Sequence, residues 1–199
     1  MRVSYKICSA LFVFVCALAH AHPHVFISGK ITAQFDRAVL TGIAFTWTFD
    51  EIFSSMILRD YRPQENGTFA SKTASALKAG AFDNLANYHY FVSFMLGGKS
   101  VPKFRVERFT PSVAEKGRLV YSFFVPLSLA VKASEQTVRV TVYDDTYYVA
   151  FDQLRIEDVT VGGDSSVVSG LAVEKTTAKA SWPGQYMPDQ LVIRFKSGS

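Results

Sequence analysis

The hydrophobic patterning predicts an α+β fold: antiparallel β-sheets, with two helices in the N-terminal half and a β-sandwich-like C-terminal half. Three observations predict it. An alternating apolar and polar stretch follows an apolar leader, two helical apolar stripes come next, and the rest is a series of short β-rich runs separated by turn residues. The order ββααββ followed by strands sets helices on antiparallel sheet.

The leader bounds the location. Arg2 and Lys6 give a short positive start, 7–18 is an apolar run, and Ala19 and Ala21 form a small-x-small exit. This is the pattern of a secretory signal peptide, so cleavage after Ala21 and a periplasmic, exported protein are expected. The run is short of the roughly 20 residues that a membrane span needs, and no later stretch reaches that length, so no direct membrane insertion of the mature chain is expected. Val15 is bulky before Cys16, which argues against lipidation.

Removing 21 residues from 199 leaves 178, and both cysteines, Cys8 and Cys16, go with the leader. Disulfides, thiolate metal sites and cysteine nucleophiles are thereby excluded from the mature chain. Lys plus Arg falls from 21 to 19 against 17 acids, and the basic residues form no stripe, which excludes nucleic acid as a partner.

Residues 24–35 alternate imperfectly, with Val25, Ile27 and Ile31 set against Phe26, Ser28 and Lys30. A second β-rich run spans 39–47, and Asp36-Arg37 between them makes a hairpin. The period then changes. Phe49, Ile52, Phe53, Met56 and Ile57 mark the apolar face of a helix over 49–60, and Thr48-x-x-Glu51 reads as its capping box. After breaks at Arg62-Pro63 and Asn66-Gly67, Ala70, Ala74, Leu77, Ala81 and Leu85 form a second helical stripe. Runs 90–96 and 101–109 around Gly97-Gly98 read as a hairpin. Further strands are expected at 119–125, 137–143, 147–151, 156–161 and 191–195, with 137–143 and 147–151 joined at Asp144-Asp145. Three segments are expected: a signal peptide over 1–21, an α+β unit over 22–115, and a β-rich unit over 116–199. The boundary falls at Glu115-Lys116-Gly117, and the last unit is either separate or continuous with the first.

Histidine and acid placement carries what chemistry the sequence suggests. Cleavage after Ala21 would leave His22 with a free α-amine, two residues from His24, in a chain with one other mature histidine, His89. On a strand, positions two apart face the same side, so both imidazoles reach one ion. Imidazole suits a divalent transition metal such as zinc, nickel, cobalt or copper. Pro23 has no N–H to deprotonate, which turns coordination away from planar backbone chelation and toward side chains and the terminal amine. His89 and Asp50 are candidate further ligands. The alternatives are a packing role for His89 among tyrosines, helix capping for Asp50 and Glu51, and a solvated terminus for the pair. Asp144, Asp145 and Asp152 around Tyr147 and Tyr148 are the densest acid and tyrosine cluster, readable as turn chemistry or as a cation site. The sequence contains no G-x-S-x-G, H-E-x-x-H, P-loop or G-x-G-x-x-G, so no catalytic residues are assigned and an enzyme is not expected.

Three stretches taken together carry a resemblance: His22-Pro23-His24-Val25-Phe26-Ile27, Trp47-Thr48-Phe49-Asp50-Glu51-Ile52-Phe53-Ser54, and Tyr143-Asp144-Asp145-Thr146-Tyr147-Tyr148. The mature chain resembles, over nearly its whole length, a family of uncharacterised bacterial periplasmic proteins. That family is labelled as the periplasmic component of an ABC-type transport system and is often associated with nickel/cobalt-type permeases. Phe26 stands where tryptophan is usual in it, and Asp145 where proline is frequent. The resemblance implies export, an inner-membrane metal permease or ABC-type transporter as partner, and a metal-binding or delivery role, and it carries over no established catalytic residue. Two rival readings stand beside it: an N-terminal histidine-brace copper enzyme, with His89 opposite His22, and an interaction module docking on a permease without metal.

Overall fold

The computed structural model describes residues 23–146, 148–176 and 187–197. The first hairpin forms as the alternation requires. Strand β1, Val25–Asp36, pairs antiparallel with β2, Val39–Phe49, and Val25, Ile27, Ile31, Ala33 and Phe35 are buried along one face of β1.

Helix α1, Glu51–Asp60, starts two residues later than the stripe suggests, because Phe49 still belongs to β2. Asp50, rather than Thr48, caps it: the Asp50 carboxylate accepts the Phe53 N–H. The buried face is also rotated. Phe53, Ile57 and Leu58 pack on the core, whereas Ile52 and Met56 are 75% and 56% exposed. The reason is Ser54, fully buried, whose hydroxyl donates to the Phe49 carbonyl and accepts the Leu119 N–H at 2.9 Å. That bond fixes α1 against a later strand by its small polar side chain.

The second stripe is helical but not one α-helix. Helix α2, Ser71–Leu77, passes into a π-helical turn, Lys78–Phe82, and then a 3₁₀ segment, Asp83–Phe91. The wider turn places Leu77 and Phe82 fully inside, with Ala81 and Leu85 only packed at the edge. Three successive residues, His89, Tyr90 and Phe91, have φ of 50°, 50° and 52°. Left-handed backbone costs an L-residue about 1–2 kcal/mol, so this turn is held by its surroundings.

The remaining strands are β3 (Val92–Leu96), β4 (Lys99–Ser100), β5 (Glu107–Ala114), β6 (Arg118–Ala130), β7 (Gln136–Val142), β8 (Val149–Phe151), β9 (Val159–Gly163), β10 (Val168–Lys175) and β11 (Asp189–Phe195). They complete two mainly antiparallel sheets. One runs β5-β6-β2-β1-β8, with β9 also on β1, and the other β10-β11-β7-β3-β4. The sheets face each other through Phe35 against Phe195 at 5.4 Å and Phe45 against Phe94 at 6.3 Å.

Several expected pairings are corrected. The Gly97-Gly98 hairpin closes only on the short β4, and β5 crosses to the other sheet to pair with β6. The Asp144-Asp145 stretch is not a hairpin tip but a crossover: β7 lies in one sheet, and β8 lies parallel to β1 in the other. Strand β10 was not expected, since its alternation is blurred by half-buried residues. Glu115–Gly117 is the turn between β5 and β6, and β6 pairs with β2.

Candidate functional site

The three stretches that carry the resemblance meet at the start of β1. Asp144, 2% exposed, organises one side: Oδ1 accepts the Thr146 N–H at 2.9 Å and its hydroxyl at 2.7 Å, and Oδ2 accepts the Val149 N–H at 2.8 Å. A buried carboxylate saturated in this way holds a loop in one shape. That shape presents the Tyr148 carbonyl to the His24 N–H at 2.9 Å and delivers Val149 into parallel pairing with Val25. The His24 imidazole is exposed, and its ring centroid lies 5.1 Å from that of Tyr148, which is 57% exposed.

Asp50 organises the other side. Its Oδ1 caps α1 through the Phe53 N–H, and its Oδ2 accepts the Phe26 N–H, each at 2.8 Å. The Asp50 N–H in turn donates to the Phe26 carbonyl at 2.9 Å. Both oxygens of this carboxylate thus tie the helix start to the strand start. The capping alternative describes Asp50 as the structure holds it.

His89 sits at the entry to the left-handed turn and is exposed. Its neighbours anchor it from two sides, Tyr90 at 5.2 Å from Phe82 and Phe91 at 5.9 Å from Phe151. Among the described residues, no group of three or more His, Cys, Asp or Glu side chains is gathered as a metal site, so His24, Asp50 and His89 do not form one cluster. His22, the amine that cleavage would create there, and Tyr147 lie outside the described residues. The acid cluster around the tyrosines divides: Asp144 is internal, Asp145 exposed, and Asp152 accepts the Ser28 hydroxyl at 2.6 Å beside β1.

These bonds tie the start of β1 from both sides into a platform that carries one solvent-facing imidazole. Sequence reasoning singled out Asp50 and Asp144 but not how their bonds meet at β1. Asp144 reads locally as a turn residue, and two of its three donors, the Thr146 N–H and hydroxyl, belong to that turn; the Val149 N–H adds the tie to β8. Ser54 carries no signal in an apolar stripe.

Comparison with known proteins places the chain. It belongs to the family described as protein of unknown function (DUF1007), whose model matches residues 7–180. The chain is similar to an uncharacterized 15.5 kDa protein of Spirochaeta aurantia, 33% identical over 146 residues that make up 70% of this chain and 98% of that protein. An uncharacterized protein of Haemophilus influenzae is 30% identical over 148 residues, covering 74% of this chain and 69% of the relative. No described helix is long and apolar enough to cross a membrane.

Proposed function

We propose that this protein is a periplasmic transition-metal-binding or delivery accessory of a nickel-, cobalt- or zinc-type transport system, with His22 and His24 as primary ligands. The observation that carries the reading is the fixed start of β1: the His24 backbone is clamped to the Asp144-ordered loop while its imidazole faces solvent. A ligand on ordered backbone loses little freedom when it coordinates, which favours affinity. Asp50 and Asp144 serve as braces beneath the site, and His89, exposed on its own turn, is open to a ligand from a partner.

The test is titration of zinc, nickel, cobalt and copper into protein produced from the full-length coding sequence, after its intact mass has fixed the N-terminus. His24→Ala should weaken binding strongly, and one added residue before His22 should weaken it if the amine coordinates. Imidazole binds metal only as the neutral ring, so binding should weaken as pH is lowered. If the double variant His22→Ala/His24→Ala binds these metals as the native protein does, the terminal site is wrong.

One observation favours the docking reading as a second. Phe26, Ile52 and Met56 are 50%, 75% and 56% exposed, and the Asp50 bonds bring Phe26 next to the start of α1. An apolar corner of this kind suits attachment to a permease. Permease binding by metal-free protein, lost in Ile52→Asp/Met56→Asp, would support it.

A further inference from the structure

A partly open cavity of about 390 Å³ lies between the β1–β8 edge of one sheet and the β7, β10 and β11 ends of the other. Its size is within the range of small-molecule sites, roughly 300–1,000 Å³. Phe26, Trp47, Tyr143 and Phe151 are its aromatic lining. Trp47 is 1% exposed and meets Phe151 edge-on at 5.4 Å, so this wall is fixed before any ligand arrives.

The polar lining is charged. Asp152 and Asp189 contribute two carboxylates and Lys175 one ammonium. Asp189 is 8% exposed; its Oδ1 pairs with the Lys175 ammonium at 2.7 Å, while its Oδ2 has no hydrogen-bond partner among the described residues. A buried carboxylate oxygen without a donor is costly, and a ligand N–H would remove that cost. Fixed aromatic faces beside a carboxylate oxygen that lacks a donor are features that suit an organic cation.

We propose that this cavity binds a small organic cation, a protonated amine on an aromatic or apolar body, with Asp189 accepting its N–H and Trp47, Phe26 and Phe151 holding the body. The site shares Phe26 and Val149 with the strand start that carries His24, but it does not depend on the metal reading. Nothing in the local sequence marks it, because Asp189 precedes an apolar strand and reads as a boundary residue.

The probe is tryptamine, titrated into ¹⁵N-labelled protein produced from the full-length coding sequence. Indole-3-ethanol and indole-3-propionate serve as neutral and anionic controls of the same ring. Saturable shifts are expected at the Trp47 indole N–H and the amides of 149–151, with the alcohol and the acid binding at least about tenfold more weakly. Asp189→Asn should remove the preference for the amine, and Phe26→Ala, at a half-exposed position, should weaken all three ligands while the spectrum stays dispersed. If Asp189→Asn does not fold, the amine-to-alcohol ratio in the native protein decides the question alone. The proposal is overturned if tryptamine gives no saturable shift at the cavity, if the alcohol binds as tightly, or if folded Asp189→Asn binds tryptamine undiminished.

Discussion

The two flanks of Trp47 are built from the same kind of residue and end differently. On one flank its ring meets Phe123 edge-on at 4.7 Å, and Phe45, Phe82 and Tyr90 close around Phe123 at 5.1, 5.3 and 6.3 Å. On the other it meets Phe151 at 5.4 Å and Phe91 at 6.3 Å, and beyond Phe151 the space stays open down to Asp189. The difference is not one of hydrophobicity. The π-helical turn pushes Phe82 into the first flank, and Gly80 allows it, since a Cβ there would strike the Tyr61 hydroxyl. The left-handed turn then divides its aromatics, Tyr90 to the closed flank and Phe91 to the open one. Two unusual backbone turns thus decide where the sandwich is sealed.

The largest test of this contrast is Phe82→Ala. It removes a fully buried ring that stacks on Phe109 at 4.1 Å, and a loss of about 3–5 kcal/mol is expected by chemical denaturation. A loss under about 1 kcal/mol would mean that the closed flank is as loosely filled as the open one.

Asp144→Ala comes next. It strips three hydrogen bonds from the crossover that frames the open flank, leaving two part-buried N–H groups without their acceptor, and about 1–3 kcal/mol is expected. Amide exchange at Val149 and His24 should speed up together, whereas exchange in β2 and β6 should be little changed.

Tyr121 sharpens the comparison from the closed side. Burial, with Tyr61 nearby as a smaller cause, raises its hydroxyl above the ordinary value of 10.0. Above about pH 10 the unfolded chain loses this proton while the folded chain keeps it, so its contribution, complete below pH 10, is lost as pH rises further. Tyr121→Phe should therefore flatten the alkaline decline in stability. At neutral pH the variant should be unchanged or up to about 1 kcal/mol more stable, because the hydroxyl has no hydrogen-bond partner among the described residues. An alkaline decline as steep as in the native protein would count against a sealed flank.

The smallest effect is expected on the open side. A Cβ at Gly29 would have Trp47 Cδ1 as its nearest neighbour at 3.9 Å, an ordinary contact. Gly29→Ala should therefore be tolerated, with a gain of about 0.4–1 kcal/mol from the stiffer unfolded chain. Clear destabilisation in a thermal melt would show that the open flank is tighter than its geometry indicates.

Much of this molecule was readable one segment at a time. The alternation through Val25, Ile27 and Ile31 determined β1 and its buried face, Asp36-Arg37 located the first turn, and the change of period after Phe49 announced α1. Such patterns are legible because a single backbone geometry repeats over neighbouring residues. The platform was legible only as a list: His24, Asp50 and Asp144 could each be singled out, but not which would face solvent and which would be consumed as braces.

What only the tertiary structure decided depended on partners distant in the chain. Ile52 and Met56 satisfy helical periodicity and still point outward, because Ser54 is pinned to Leu119, 65 positions away. The strand at 149–151 was visible as a strand, but its place beside β1 rather than β7 was set by the Asp144 loop and by the bond between His24 and Tyr148, 124 positions apart. Asp189 acquired its buried, half-satisfied state only when two sheets closed around it. Local sequence sets backbone period; desolvation and hydrogen-bond completion depend on whatever the fold brings alongside, and these decided the sites.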